Sequence, residues 1–305
     1  MSTPTTRRSP ATEQETDMTQ QTATQQQTAA RRTTTRSSPP AAPTGGAVGL
    51  RVSGVDKVYP TRRGEVHALS GIDLDVARGE FVSLVGRSGC GKTTLLRILS
   101  GLLAPSAGLV EAGGRPAWAA GRRDDAVFAE FGLVFQEANL FPWFTITDNV
   151  ALPLKLRGVP RAERRARAAE LCATVGLGGF EDSYPRELSG GMRQRAAIAR
   201  ALACDPSVLL MDEPFGALDA LTRDRMNLEL QQIHAVSGAT VVFVTHSIPE
   251  AVFLADRVVL LTPRPGRIRS VTAIDLPRPR SAATETTPEF GALVAGLRTE
   301  LDRED

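Results

Sequence analysis

Val52, Val55 and Val58 recur along a polar stretch, and Ile72, Leu74 and Val76 then alternate strictly with polar residues. A period of two marks half-buried strands, so antiparallel strands are predicted from Leu50 onward, ending at the turn Ala77-Arg78-Gly79-Glu80. Residues 81–85 form an unbroken apolar run of buried-strand length, followed by a glycine-rich loop and a helix over 93–100. Further strands are predicted at 131–135, 208–211, 240–244 and 257–261. Helices are predicted at 147–156, 161–175, 191–204, 221–237 and 249–255. Strands alternating with helices imply an α/β fold with a mainly parallel sheet. The helices between 147 and 204 run without a strand and are expected to form a separate lobe. Residues 117–129 are irregular and charged and fit no element.

Residues 1–47 are built from Thr, Gln, Ser, Pro and Ala. Such a segment cannot bury enough apolar surface to offset its ordering entropy and is expected to be a disordered tail. Glu13, Glu15 and Asp17 argue against a transit peptide, and no apolar core for a secretory signal is present. The expected organisation is a tail over 1–47, an α/β domain over 48–275 with its helical lobe at about 140–205, and a polar C-terminal extension over 276–305 with a helix at 290–301.

Apolar residues make up 42% of the chain, enough to supply a core, and the net charge is only +2, which gives no nucleic-acid footprint. Cys90, Cys172 and Cys204 form neither a disulfide framework nor a paired metal spacing, as in a reducing compartment. No apolar run approaches the ~20 residues that a bilayer span requires, so any membrane process must use other chains for spanning. Of 36 basic residues only Lys57, Lys92 and Lys155 are lysine. Lysine at 92 is therefore not background usage: an ammonium fits among phosphate oxygens as a compact charge where a guanidinium is a broad fork.

Gly86-Arg87-Ser88-Gly89-Cys90-Gly91-Lys92-Thr93 satisfies every fixed position of the phosphate-binding loop and lies between a predicted strand and a helix. Its backbone N–H groups can converge on phosphate oxygens, Lys92 can neutralise them, and the Thr93 hydroxyl, with Thr94 beside it, can reach Mg²⁺. Cys90, at a variable position, reads as a small space-filler. Asp212 and Glu213 end a buried strand. The first can hold Mg²⁺, and the second can orient or deprotonate an attacking water. Ser189, Gly190 and Gly191 precede an Arg-rich helix. Serine there is a good N-cap, yet two glycines expose more backbone than a cap needs and offer a second anion site. One domain cannot easily aim both sites at one γ-phosphate; a head-to-tail pair can.

In this combination, residues from about 50 to 270 resemble the nucleotide-binding subunit of an ABC transporter. The resemblance implies a P-loop NTPase core with a mainly parallel sheet, an antiparallel β subdomain and an α-helical lobe carrying the signature motif. It implies ATP and Mg²⁺ as ligands. Tyr59 resembles the aromatic that stacks on adenine, and Gln136 the glutamine that senses Mg²⁺ and the attacking water. Ser189, Gly190 and Gly191 resemble the signature that grips ATP on the opposite subunit, Asp219 the loop coupling the two sites, and His246 the switch histidine. Glu213, His246 and Gln136 are thus the catalytic candidates. The implied partners are a second ATP-binding subunit (an identical chain in the simplest arrangement), transmembrane permease subunits and, indirectly, a solute-binding protein. The implied location is peripheral, on the cytoplasmic face of the membrane.

Gln136-Glu137-Ala138-Asn139-Leu140-Phe141-Pro142-Trp143, Gly191-Met192-Arg193-Gln194-Arg195 and Pro263-Arg264-Pro265-Gly266-Arg267-Ile268 are similar to segments of importers for nitrate, sulfonate and taurine. Two features depart from that pattern: the Thr/Gln-rich head, and the stretch 117–129, longer than usual in this subgroup. Rival readings are an ABC ATPase of the lipoprotein-release or cell-division type, and a nucleotide-dependent scaffold, which would be expected to lack an acid or histidine that this chain retains. Leu140, Phe141, Trp143 and Phe144 read either as a local mini-core or as a groove for a short helix of a membrane subunit. Arg161, Arg164, Arg165 and Arg167, with Arg157 nearby, read as a solvated face or as a contact for phospholipid or permease.

Overall fold

The computed structural model describes residues 48–62 and 64–303; the tail expected over 1–47 lies outside them. The alternating segment folds as a hairpin of β1 (Val48–Thr61) and β2 (Gly64–Ala77), with Val52 opposite Leu74, Val55 opposite Ile72 and Tyr59 opposite Val66. Leu50, Val52, Val55, Ile72, Leu74 and Val76 are all buried, the single dry face that period-two patterning produces. β3 (Phe81–Gly86) is buried along its whole length and leads through the glycine-rich loop into α1 (Lys92–Leu99).

The unplaced stretch 117–129 and the residues before it resolve into short elements. β4 (Ala107–Ala112) pairs antiparallel with β1, followed by β5 (Arg115–Ala119), β6 (Arg122–Arg123) and α2 (Asp125–Phe128). Asp124 caps α2, accepting from Ala126 N at 2.9 Å. Trp118 donates from Nε1 to Ile98 O at 2.8 Å and packs edge-on to Phe128, which fixes the segment on α1.

The chain continues through β7 (Phe131–Val134), α3 (Ile146–Leu156), α4 (Arg161–Thr174), α5 (Gly190–Leu202), β8 (Val208–Asp212), α6 (Ala220–Ser237) and β9 (Thr240–Val244). It ends with α7 (Ile248–Leu254), β10 (Arg257–Leu261), β11 (Ile268–Ala273), α8 (Ala282–Glu285) and α9 (Pro288–Asp302). Two sheets result, ordered β2-β1-β4-β5-β6 and β11-β10-β3-β9-β8-β7. In the second, β10, β3, β9, β8 and β7 are mutually parallel and β11 is an antiparallel edge. This is the α/β P-loop NTPase arrangement, with an antiparallel β subdomain and, in α3 to α5, an α-helical lobe.

The central strands are dry on both faces, which is why they read as continuous apolar runs. Val208, Leu210, Val242 and Val244 pack with Leu95, Leu96, Ile98 and Leu99 of α1 and the inner face of the hairpin. Leu209, Met211, Val241 and Phe243 face the other way, into a core shared with α3 to α7. Phe290 and Leu297 of α9 are buried in that same core. Among the described residues no helix is long and apolar enough to cross a membrane.

Candidate functional site: a phosphate-loop cleft

Parallel pairing brings the C-terminal ends of β3, β9 and β8 side by side, with Leu84 aligned on Val244 and Val244 on Asp212. Loops leaving one edge of a parallel sheet form the usual ligand crevice of open α/β folds. Here they open a cleft of about 560 Å³. Ser88, Gly89, Gly91, Lys92, Thr93, Thr94, Glu213 and His246 line it together with Tyr59.

The loop geometry follows from its small residues. Gly91 caps α1 at φ +104°, and a Cβ there would lie 2.6 Å from Leu69 Cδ2; a larger residue is excluded on both counts. Cys90 is 1% exposed and fills the space inside the loop, as expected of it. Lys92 is buried and donates from Nζ to Gly86 O at 2.8 Å. Thr93 donates from Oγ1 to Asp212 Oδ1 at 3.2 Å. Burial pushes the Asp212 carboxyl up from its ordinary pKa; the Thr93 bond pulls it down, and the neighbouring Glu213 charge pushes it up again.

Glu213 follows β8 at φ +44°, and its Oε2 lies 3.1 Å from His246 Nδ1. Gln136, just past β7, is exposed. Its Nε2 and Glu213 Oε2 lie 3.4 and 3.7 Å from one point, where a side chain on Gly216 would begin. The acid and the histidine therefore stand together in the cleft lining, with the amide close to the acid but outside that lining. Tyr59 belongs to the wall formed by the hairpin, with Lys57 Nζ 5.1 Å from its ring centroid.

Gly86, Arg87, Cys90, Gln136 and Asp212 are not among the lining residues. Gly86 and Cys90 shape the loop from inside, Arg87 leans toward Asp302 at 3.7 Å, and Asp212 stands behind Thr93. Ser189, Gly190, Gly191 and Asp219 do not line the cleft either; they build a second patch. Ser189 caps α5, accepting from Met192 N at 3.3 Å. Gly191 packs on Thr222, whose methyl would lie 2.9 Å from any Cβ at 191. Asp219 caps α6, accepting from Thr222 N at 3.0 Å and from Thr222 Oγ1 at 2.7 Å. These bonds, the hydroxyl's first, hold its carboxyl below the usual range. Thr222 thus joins the two helix starts.

Sequence reasoning missed Thr61, Val66, Ala68 and Arg264, which complete the cleft wall. Thr61 was findable, because it lies two residues beyond Tyr59 on the same strand face. Elsewhere, Phe141, Trp143 and Phe144 contact one another with centroids 5.5 to 6.3 Å apart, and Trp143 remains 67% exposed. The buried Asn149 holds their loop, accepting from Phe141 N at 2.7 Å and donating to the carbonyls of Phe141, Phe144 and Thr145. The arginines of α4 are largely engaged: Arg165 faces Asp148 and Asp182, and Arg167 bridges Glu170 and Asp205. That is a solvated, ion-paired face.

A family model described as ABC transporter matches residues 69–216. The chain is 50% identical over 243 residues to an uncharacterized ABC transporter ATP-binding protein of Methanocaldococcus jannaschii, covering 80% of this chain and 87% of that one. It is 43% identical over 264 residues to a nitrate import ATP-binding protein of Synechocystis sp., covering 82% and 97%. Among solved structures, a dimeric post-hydrolysis state of an ATP-binding cassette bound to ADP and phosphate superposes with a TM-score of 0.65 at 34% identity, over 74% of this chain and 99% of that one. Motifs, fold and relatives agree, and the chain belongs to the ABC transporter family as an ATP-binding cassette ATPase.

Proposed function

We propose that this chain is the ATP-binding and hydrolysing subunit that energises an importer for a small anionic solute of the nitrate, sulfonate or taurine class. The observation that carries the reading is the convergence of Lys92, Thr93, Glu213 and His246 on one cleft. Residues 48–275 act as the ATPase domain, with the helical lobe at about 140–205 and an extension over 276–305.

Lys92 meets the β- and γ-phosphates, and the backbone N–H groups of the loop meet the remaining oxygens. Thr93 Oγ1 and Asp212 Oδ1, 3.2 Å apart, form a hard oxygen pair that suits Mg²⁺, which takes few protein ligands beside phosphates and waters. Gln136, close to Glu213, would offer its side-chain oxygen as a further ligand. Among the described residues no group of three or more His, Cys, Asp or Glu forms a rival metal centre. Bound Mg²⁺ would neutralise phosphate charge. Glu213 orients the attacking water and accepts its proton, while His246 holds the Glu213 carboxylate and faces the γ-phosphate. Tyr59 stacks on the base. Catalysis is then mostly placement and charge neutralisation.

Ser189, Gly190, Gly191 and Asp219 serve the nucleotide of a second copy, so two chains enclose two ATP molecules. The exposed Phe141–Trp143–Phe144 cluster receives a permease segment and holds the cassette at the cytoplasmic face of the membrane. Phosphate release from Mg-ATP by the full chain, followed by copurification with its co-expressed permease and solute-binding protein, tests the reading. Absence of phosphate release would refute it.

A further inference from the structure

Arg264 lies in the loop between β10 and β11 and lines the cleft beside Ser88 and Gly89. Its Nη2 is 3.8 Å from the point where a side chain on Gly89 would begin. Among the described residues its guanidinium makes no hydrogen bond, ion pair or ring contact. Arg87, by comparison, leans on Asp302, and Lys92 is held by the Gly86 carbonyl. Arg264 is therefore the uncommitted cation of this cleft.

Its position is built rather than incidental. Gly266 N donates to Ala68 O at 2.9 Å, and Ser70 N donates to Gly266 O at 3.0 Å, stitching the loop to β2. Thr262 Oγ1 closes the loop on itself, donating to Pro265 O and accepting from Arg267 N, each at 3.0 Å. Pro263 and Pro265 flank the arginine and restrict its backbone. Ala68, to which the loop is stitched, itself lines the cleft with Tyr59 and Val66. Arg264 thus stands where the base-side wall meets the phosphate loop. A fork of N–H donors suits phosphate oxygens, and a loop whose backbone is already tied down loses less freedom when its arginine binds.

We propose that Arg264 is a second cationic clamp on the nucleotide, contacting the inner phosphates from the β10–β11 loop while Lys92 serves the outer ones. This rests on the nucleotide reading of the cleft. The inner phosphates are common to ATP and ADP, so the contact binds both and contributes alike in ground and transition states. Its loss falls on KM rather than kcat.

The test is Arg264→Gln in the full chain, with Arg264→Lys and Lys92→Ala beside it, titrated calorimetrically with Mg-ATP and Mg-ADP. For Arg264→Gln both affinities should fall about tenfold. KM should rise in step, kcat at saturating ATP should stay near the wild-type value, and the thermal midpoint should be unmoved. Lysine should recover part of the loss. If the wild-type chain binds neither nucleotide, the reading of the cleft fails. If it binds both, Lys92→Ala loses them and Arg264→Gln does not, the clamp is overturned while the cleft stands. A loss confined to ATP overturns the inner-phosphate assignment in the same way.

Discussion

Glu213 Oε2 and His246 Nδ1 stand 3.1 Å apart, and the sheet rather than the local chain makes the contact. β8 and β9 run parallel with Asp212 aligned on Val244, and Glu213 N donates to Val244 O at 2.9 Å. Glu213 then adopts φ +44°, a conformation that a non-glycine residue seldom takes and that tends to mark working sites.

Replacing Glu213 by Gln keeps the shape and removes the carboxylate that we propose as proton acceptor. Phosphate release should fall about 10²–10³-fold, the usual effect of losing one positioned group in such a site. ATP binding should persist, and pairs trapped by Mg-ATP should elute ahead of the single chain in size exclusion. Near-normal hydrolysis would remove Glu213 from its role.

Arg280 is 3% exposed and ties the end of α7 to the strand beyond it. Nη1 donates to the carbonyls of Val252, Phe253 and Ala255 at 2.9, 3.1 and 2.7 Å, and Nη2 to Ile274 O at 3.2 Å. These include the carbonyls a helix leaves unmet at its C-terminus. Burial pushes its pKa down to about 10, so it stays charged at neutral pH. Arg280→Ala should lower the urea-unfolding free energy by at least about 3 kcal/mol, because several buried acceptors lose their donor together. A change within about 0.5 kcal/mol, typical of an indifferent surface site, would mean that water replaces it.

Three cleft residues were legible because each sits in one short loop after one strand: Lys92 after β3, Glu213 after β8, His246 after β9. What escaped is held by partners distant in sequence. Residues 107–112 are half exposed, carry Gly108 and run into Gly113 and Gly114, so β4 shows no clean period; its pairing of Val110 with Val52 defines it. β6 is two residues long and exists only through its pairing with Trp118 and Ala119. β11 is partly buried along most of its length and offers no alternation to read. Arg264 joins the cleft only because its loop is stitched to Ala68 and Ser70, a contact that no local pattern carries. The aromatic cluster at 141–144 was visible as a cluster, but its looping on Asn149 was not.

Glu250 gives a pH signature. It is 6% exposed; Oε2 accepts from the Thr245 hydroxyl, and Oε1 has no partner among the described residues. Burial pushes its pKa up. Thr245, Arg223 and His246 pull it down, and Glu213 pushes it up further. Between the ordinary Glu value of about 4.3 and the higher folded value, the folded chain binds more protons than the unfolded one. Stability from this group is therefore lost as pH rises through that window. Gln at 250 keeps an acceptor for Thr245 and cannot ionise. The thermal midpoint of Glu250→Gln relative to wild type should climb as pH is raised from the ordinary Glu value of about 4.3 through the higher folded value. A difference that stays flat would show that Glu250 does not carry this linkage.

Ser189 lies in the second patch, outside the cleft that holds Lys92, so its two duties separate experimentally. Its cap on α5 is worth about 1 kcal/mol, too little to unfold the chain when lost. Its hydroxyl and the N–H groups behind it are the surface we assign to a partner's nucleotide. Ser189→Arg puts bulk and charge on that surface and leaves the chain's own cleft untouched. Calorimetric ATP affinity of the single chain should stay at the wild-type value, while phosphate release should lose its cooperative dependence on ATP. Trapping of pairs by Mg-ATP in the Glu213→Gln background should also disappear. Ser189→Ala, which loses the cap without adding bulk, reports the stability cost alone. If Ser189→Arg abolishes binding as well, the patch acts on its own nucleotide and the exchange between copies is wrong.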